Sequence, residues 1–187
     1  FRVLRGKGIE GTIGRKKIMV GNAKLMIENK ISLAEFANSI EKFENSGFTT
    51  MIVSENKDAI GIIGVADALK EDSKAAIAIL TSEGYKTIMI TGDNERTAKA
   101  IAREVGISEV IANVLPEDKK EKIEELQKNG MVAFVGDGIN DAPALKQSNV
   151  GIAMGTGADI AIESGDIVLV KGSLIGVVQA INLSKKT

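Results

Sequence analysis

The last two-thirds of this 187-residue sequence predicts a doubly wound α/β fold around a parallel sheet, and the first third predicts a smaller α+β segment. Three observations carry this. From about Val65 onward, short Val/Ile-rich runs alternate with longer stretches whose apolar residues recur at three- and four-residue spacing. Those short runs are continuously apolar, as strands buried on both faces of a parallel sheet must be. Acidic, glycine-bearing motifs follow two of the runs directly, and in doubly wound sheets active sites lie beyond the C-terminal ends of the strands.

The elements follow in order. Arg2–Arg5, Gly11–Ile13 and Lys17–Val20 read as short strands joined by glycine turns, and Asn22–Glu28 and Ser32–Ser46 as helices. Ser32 with Glu35 three residues on forms a capping box for the second helix. Thr49–Ser54 and Ala59–Gly64 read as a hairpin across Glu55–Asp58. The runs assigned to the parallel sheet are Ile60–Ala66, Thr87–Ile90, Val110–Ile111, Met131–Val135, Val150–Ala153 and Ile167–Val170. Between them Glu71–Glu83, Glu95–Glu104, Pro116–Lys128 and Asn140–Gln147 read as helices. A junction near Gly61–Ala66 divides the chain into domains at 1–62 and 63–187.

Composition narrows the chemistry. With no cysteine and no histidine, the chain has no disulfide, no thiol nucleophile and no imidazole base. A bound metal is then a hard ion held by oxygen, Mg²⁺ first. A net charge of −1 argues against a general nucleic-acid binder. No apolar run reaches the roughly 18 residues that span a bilayer, so the chain is expected to be soluble. It begins with Phe1 rather than Met, and is expected to be a piece of something longer.

Three segments carry candidate chemistry. In Phe134-Val135-Gly136-Asp137-Gly138-Ile139-Asn140-Asp141-Ala142-Pro143-Ala144-Leu145 a buried strand delivers Asp137 and Asp141 toward one ion, with Asn140 as an amide neighbour. The alternative is a Gly-Asp turn whose Asp caps the next helix. In Ile88-Met89-Ile90-Thr91-Gly92-Asp93-Asn94 the Thr91 hydroxyl and the Gly92 amide are donors for a phosphoryl oxygen at a helix N-terminus. Ordinary capping by Asp93 or Asn94 explains the same residues. In Leu115-Pro116-Glu117-Asp118-Lys119, Pro116 suits a first helical position and Lys119 offers a point cation for phosphate, unless it is simply solvated.

In this order the three segments resemble motifs of the haloacid dehalogenase superfamily, and the longer strings resemble the phosphorylation domain of P-type ATPases. Val65-Ala66-Asp67-Ala68-Leu69-Lys70 and Glu163-Ser164-Gly165-Asp166-Ile167-Val168-Leu169 fit the same resemblance. The wording is closest to the heavy-metal (P1B) subfamily, copper pumps especially. Gly6-Lys7-Gly8-Ile9-Glu10-Gly11 and Val20-Gly21-Asn22 are similar to two elements of that subfamily's nucleotide-binding domain. The resemblance implies ATP beside Gly6, Gly8 and Asn22, and Mg²⁺ at Asp137 and Asp141. It places Thr91, Gly92, Asp93, Lys119 and Asn140 around the phosphoryl group. On residues alone, Gly6-Lys7-Gly8 reads better as a hairpin turn.

The family's phosphorylated Asp-Lys-Thr-Gly-Thr string and its Ser-Glu-His-Pro element do not occur in the sequence. The implied fold is therefore a haloacid-dehalogenase-like sheet lacking its first strand, with an unpaired position near its centre. It is preceded by the C-terminal part of a nucleotide-binding domain. The implied role is a cytosolic part of a copper-type pump at a membrane face. Its partners are ATP, Mg²⁺ and the pump's membrane domain, actuator domain and N-terminal half of the cytosolic loop. Without the nucleophile the chain alone is expected to be inactive. A non-catalytic nucleotide or Mg²⁺ module and a soluble phosphatase of the same superfamily are the alternatives.

Overall fold

A computed structural model describes residues 1–66, 69–136, 141–155 and 164–186. The chain forms two compact units, Phe1–Ala68 with Asp93–Ile101, and Leu69–Gly92 with Ala102–Thr187.

The first unit is built on an antiparallel sheet of five strands in the order β1-β2-β3-β4-β5: β1 (Arg2–Leu4), β2 (Gly8–Ile13), β3 (Lys16–Gly21), β4 (Thr49–Glu55) and β5 (Asp58–Val65). Helices α1 (Ala23–Glu28) and α2 (Ala37–Asn45) supply its apolar cover. Along β4 alternate residues are buried, so Thr50, Ile52 and Ser54 face inward, as the two-residue period of a strand requires. Met19, Leu25, Met26, Ile31, Ile40 and Ile52 form the core. The turn between β4 and β5 is set by Asn56, which takes φ 55° and exchanges hydrogen bonds with the Lys17 backbone. Asparagine tolerates that left-handed conformation better than most residues.

Two expectations fail in this unit. Ile60–Ala66 is not part of the parallel sheet, because β5 is spent on the hairpin with β4, pairing Ile52 with Ile62 and Thr49 with Val65. Nor does Ser32 open a long helix through a capping box. A single 3₁₀ turn, Ala34–Phe36, starts after Leu33 with no side-chain cap, and Ser32 Oγ accepts only a 3.4 Å bond from the Ala34 amide.

The second unit holds the parallel strands. β6 (Ile88–Ile90) pairs with β7 (Glu109–Ile111), and β8 (Ala133–Gly136), β9 (Val150–Met154) and β10 (Ile167–Leu169) form a second ladder in the order β10-β9-β8. The expected single sheet is thus two ladders among the described residues. Ile90 of β6 nevertheless packs on the cluster of Ile123, Phe134, Ala144, Leu145 and Ala153, so both ladders contribute to one core. Its helices are α3 (Ser73–Ser82), the end of α4 (Glu95–Val105), α5 (Lys119–Gln127), α6 (Ala142–Gln147) and α7 (Ile175–Ser184). Helix α7, which the periodicity reading above does not contain, buries Val177 and Val178 and packs on α3. Among the described residues no helix is long and apolar enough to cross a membrane.

Candidate functional site

The end of β8 and the start of α6 organise the strongest cluster. Gly136 closes the strand, residues 137–140 lie outside the described residues, and Asp141 stands at the start of α6 with 8% of its surface exposed. Its carboxylate does not cap the helix that it opens. It accepts instead from Lys119 Nζ at 2.6 Å. Pro116 begins a 3₁₀ turn over Pro116–Asp118, α5 continues from it, and the packing of α5 against α6 brings Lys119 there. Both partners are largely shielded from water, so this pair is screened less than the exposed pairs of α5.

Gly136 makes the approach possible. A Cβ there would lie 2.8 Å from Asp141 Cβ and 3.0 Å from Asp141 Oδ2. The Asp141 side chain therefore occupies space that any other residue at 136 would take.

Thr91 and Gly92 extend β6 along the chain that follows β7. The Thr91 amide donates to Ile111 O and its carbonyl accepts from Val114, each at 3.0 Å. A Cβ on Gly92 would come within 3.3 Å of Val114 O, so the backbone passes tightly here. The boundary between the two units falls just after Gly92. In the first unit, Asn94 caps α4 by accepting from the Thr97 amide at 3.0 Å, and Asp93 accepts from Thr49 Oγ1 at 2.7 Å.

The nucleotide-side residues also meet one another. Asn22 Nδ2 donates to Gly6 O at 2.9 Å, while Asn22 Oδ1 accepts from the Leu25 amide and caps α1. Gly8 takes φ 143°, and a Cβ on it would lie 2.2 Å from Val20 O. Gly6 takes φ 67°, so the β1–β2 turn favours glycine at that position, while Gly8 is required by the turn's close passage over β3. Asn22 clamps that turn onto α1.

Among the sites expected from sequence, Asp137 and Asn140 lie outside the described residues, as do Asp67 and Ala68. Among the described residues no three acidic side chains gather closely enough to hold a cation. The donor chemistry still suits a hard ion: the chain has carboxylates and no thiol or imidazole, and the missing Cβ of Gly136 gives the Asp141 carboxylate its place. Carboxyls held clearly below their ordinary range, at Glu10, Asp72, Glu83, Glu95 and Glu125, all lie elsewhere, each through a side-chain hydrogen bond first. Thr49, Glu44 and Arg96 carry no motif, and no local pattern marks them. Their role depends on contacts about fifty residues apart in sequence.

A family profile described as haloacid dehalogenase-like hydrolase matches residues 3–149, and a second of the same description matches 118–181. A probable copper-transporting ATPase of Arabidopsis thaliana is 49% identical over the whole chain, which covers 19% of that protein. A copper-transporting P-type ATPase of Rhizobium leguminosarum bv. viciae is 46% identical, again over the whole chain and 22% of its own length. Among solved structures, a zinc-transporting PIB-type ATPase in its E2.Pi state superposes with a TM-score of 0.69 and 41% identity. That match covers 99% of this chain and 30% of the other. The catalytic domain of a CPx-ATPase gives a TM-score of 0.64 at 32% identity, over 96% of this chain and 63% of that domain. The chain thus spans about a fifth to a quarter of the curated relatives it matches.

Proposed function

We propose, from the premise that the chain belongs to the haloacid dehalogenase-like hydrolase family, that it supplies the phosphoryl-group half of an ATP-driven heavy-metal cation pump. The observation that supports this is the shielded Lys119–Asp141 pair beside the end of β8, which sets a cation suited to phosphate against a carboxylate suited to a hard ion, in a chain similar over its whole length to copper-transporting P-type ATPases.

In this reading Lys119 neutralises charge on the phosphoryl oxygens, and Thr91 and the Gly92 amide donate to them at the end of β6. Asp137 and Asp141 would hold Mg²⁺, which supplies further charge neutralisation at the phosphate when bound. Asn140 supports the same group. Gly6, Gly8 and Asn22 form a turn beside the nucleotide, held in shape by the Asn22–Gly6 hydrogen bond and by the close passage of Gly8 over β3. Copper is the cargo by likeness to the relatives named above.

The attacking carboxylate is not among these residues, and the chain alone does not form an aspartyl-phosphate in this reading. The two parallel ladders support this: among the described residues β8 pairs only with β9 and β6 only with β7, although Ile90 shares a core with the β8 ladder. A strand contributed by another segment, carrying the nucleophilic Asp at its C-terminal end, has two edges to join. The test is phosphorylation by labelled ATP and Mg²⁺. The chain alone is expected to give no acid-stable, hydroxylamine-sensitive phosphoprotein. Co-expression with a segment bearing an Asp-Lys-Thr-Gly-Thr strand is expected to give one, which Lys119→Met removes. Labelling of the chain alone, or labelling in trans that is indifferent to Lys119, would overturn the reading.

A further inference from the structure

We propose that Thr49 is a positioning residue for Asp93, and that Glu44 anchors the first turn of α4 so that the Thr49–Asp93 hydrogen bond is kept. The proposal rests on the phosphoryl-site reading for its catalytic meaning, but its geometry stands without it.

Thr49 opens β4 and pairs across the hairpin with Val65. Its branched side chain is stiff at χ1, so the strand backbone sets where the hydroxyl points. That hydroxyl donates to Asp93 Oδ1 at 2.7 Å. A carboxylate is acceptor-only, so this bond ties Asp93 Oδ1 to the start of β4 and restricts the rotation of the side chain.

The residues after Asp93 are held by the same stretch of chain. Glu44, buried on α2 with 8% exposure, accepts from Thr50 Oγ1 at 3.1 Å and from Asn94 Nδ2 at 3.2 Å on one oxygen. Its other oxygen faces the Arg96 guanidinium at 3.4 Å. Thr97, fully buried, donates its hydroxyl to Phe48 O at 2.8 Å. A carboxylate this buried is tolerated because it is both charge-paired and hydrogen-bonded. Capping α4 needs only the Asn94–Thr97 bond. The additional bonds from residues 44–50 do something that capping does not: they hold Asp93, Asn94, Arg96 and Thr97 in one register against α2 and β4. The orientation of Asp93 is therefore set within the first unit, through a threonine that no motif identifies.

The experiment is carbon-13 NMR of the Asp93 carboxyl in the full chain, together with amide hydrogen exchange at Thr97 and Ala98. Thr49→Val is expected to move the Asp93 carboxyl resonance and leave exchange unchanged, and Thr49→Ser to restore the parent signal. Glu44→Ala is expected to move the resonance and to speed exchange at both amides about tenfold. Glu44→Gln, which keeps the shape and one acceptor, serves if Glu44→Ala does not fold, with a smaller change of the same kind. An Asp93 signal indifferent to Thr49→Val, or a serine variant that behaves like valine, would overturn the proposal. If these results hold while phosphorylation in trans fails, the phosphoryl-site reading falls and the positioning contact remains.

Discussion

Lys119 Nζ and Asp141 Oδ1 stand 2.6 Å apart, although the two residues are 22 positions apart in sequence and their side chains are only 18% and 11% exposed. Removing one member of such a pair strands a poorly hydrated charge. Asp141→Ala is expected to lower unfolding free energy by about 3 kcal/mol, and the double variant Lys119→Met/Asp141→Leu to recover much of that loss. Urea denaturation of the single and double variants measures the coupling directly. A double variant that loses the sum of the two single effects would show that the pair is not energetically linked.

Gly136→Ala acts on the same pair without touching either charge. Its Cβ would sit 2.8 Å from Asp141 Cβ and 3.0 Å from the Phe134 ring. The side chain of Asp141 must move, at a cost of about 1–3 kcal/mol. The Lys119 side-chain ammonium resonance is expected to change with it. An unchanged resonance in a destabilised variant would place the strain elsewhere.

Gly8 and Gly14 both have positive φ, at 143° and 64°, but only Gly8 is crowded. A Cβ at Gly8 meets the Val20 carbonyl at 2.2 Å, and backbone in a paired strand cannot step aside. At Gly14 nothing lies within 4 Å. Gly14→Ala is expected to cost about 1 kcal/mol, the left-handed penalty alone, and Gly8→Ala clearly more. Thermal melts of the two variants side by side test the ranking.

Ser54, on β4, is fully buried on the inner face of the first unit's sheet, and among the described residues its hydroxyl has no hydrogen-bond partner. An unsatisfied buried hydroxyl is a liability that an alanine removes. Ser54→Ala is expected to be neutral or to stabilise by about 1 kcal/mol. A loss of stability in equilibrium unfolding would mean that the hydroxyl is solvated or bonded after all.

Asp72 titrates below its ordinary value of 3.8, first because the Ser173 hydroxyl donates to it, then through the Ile175 amide and the nearby Lys70 charge, with burial opposing. A carboxyl whose folded pKa is depressed contributes stability above its unfolded pKa and loses it as pH falls through the folded value. The difference in Tm between the parent chain and Asp72→Asn is therefore expected to be constant near neutrality and to close below about pH 4. A difference that does not change with pH would assign the effect to shape rather than charge.

Much of the fold is legible in the residues themselves. Val150–Met154 and Ile167–Leu169 are strands because β-branched runs fit a pleated, buried surface. Pro116 opens a turn and Asn94 caps α4, as their side-chain chemistry dictates. The motif around Asp141 is likewise readable, and so are the glycine turns at Gly6 and Gly8.

Partnership is where sequence ran out. Periodicity says which face of an element is apolar but not which element covers it. For that reason Ile60–Ala66 reads both as half of a hairpin and as a member of the parallel sheet, and its pairing with β4 decides between them. Asp141 reads as a helix cap or a metal ligand from its neighbours in sequence, and only packing of α5 on α6 brings Lys119 to it. Asp93 carries its motif in plain view, whereas its donor, Thr49, lies 44 residues away at the start of a strand. Local chemistry determined the elements and the reactive vocabulary. The tertiary structure decided which charges face each other, because that depends on how the apolar faces stack, and many stackings satisfy the same local pattern.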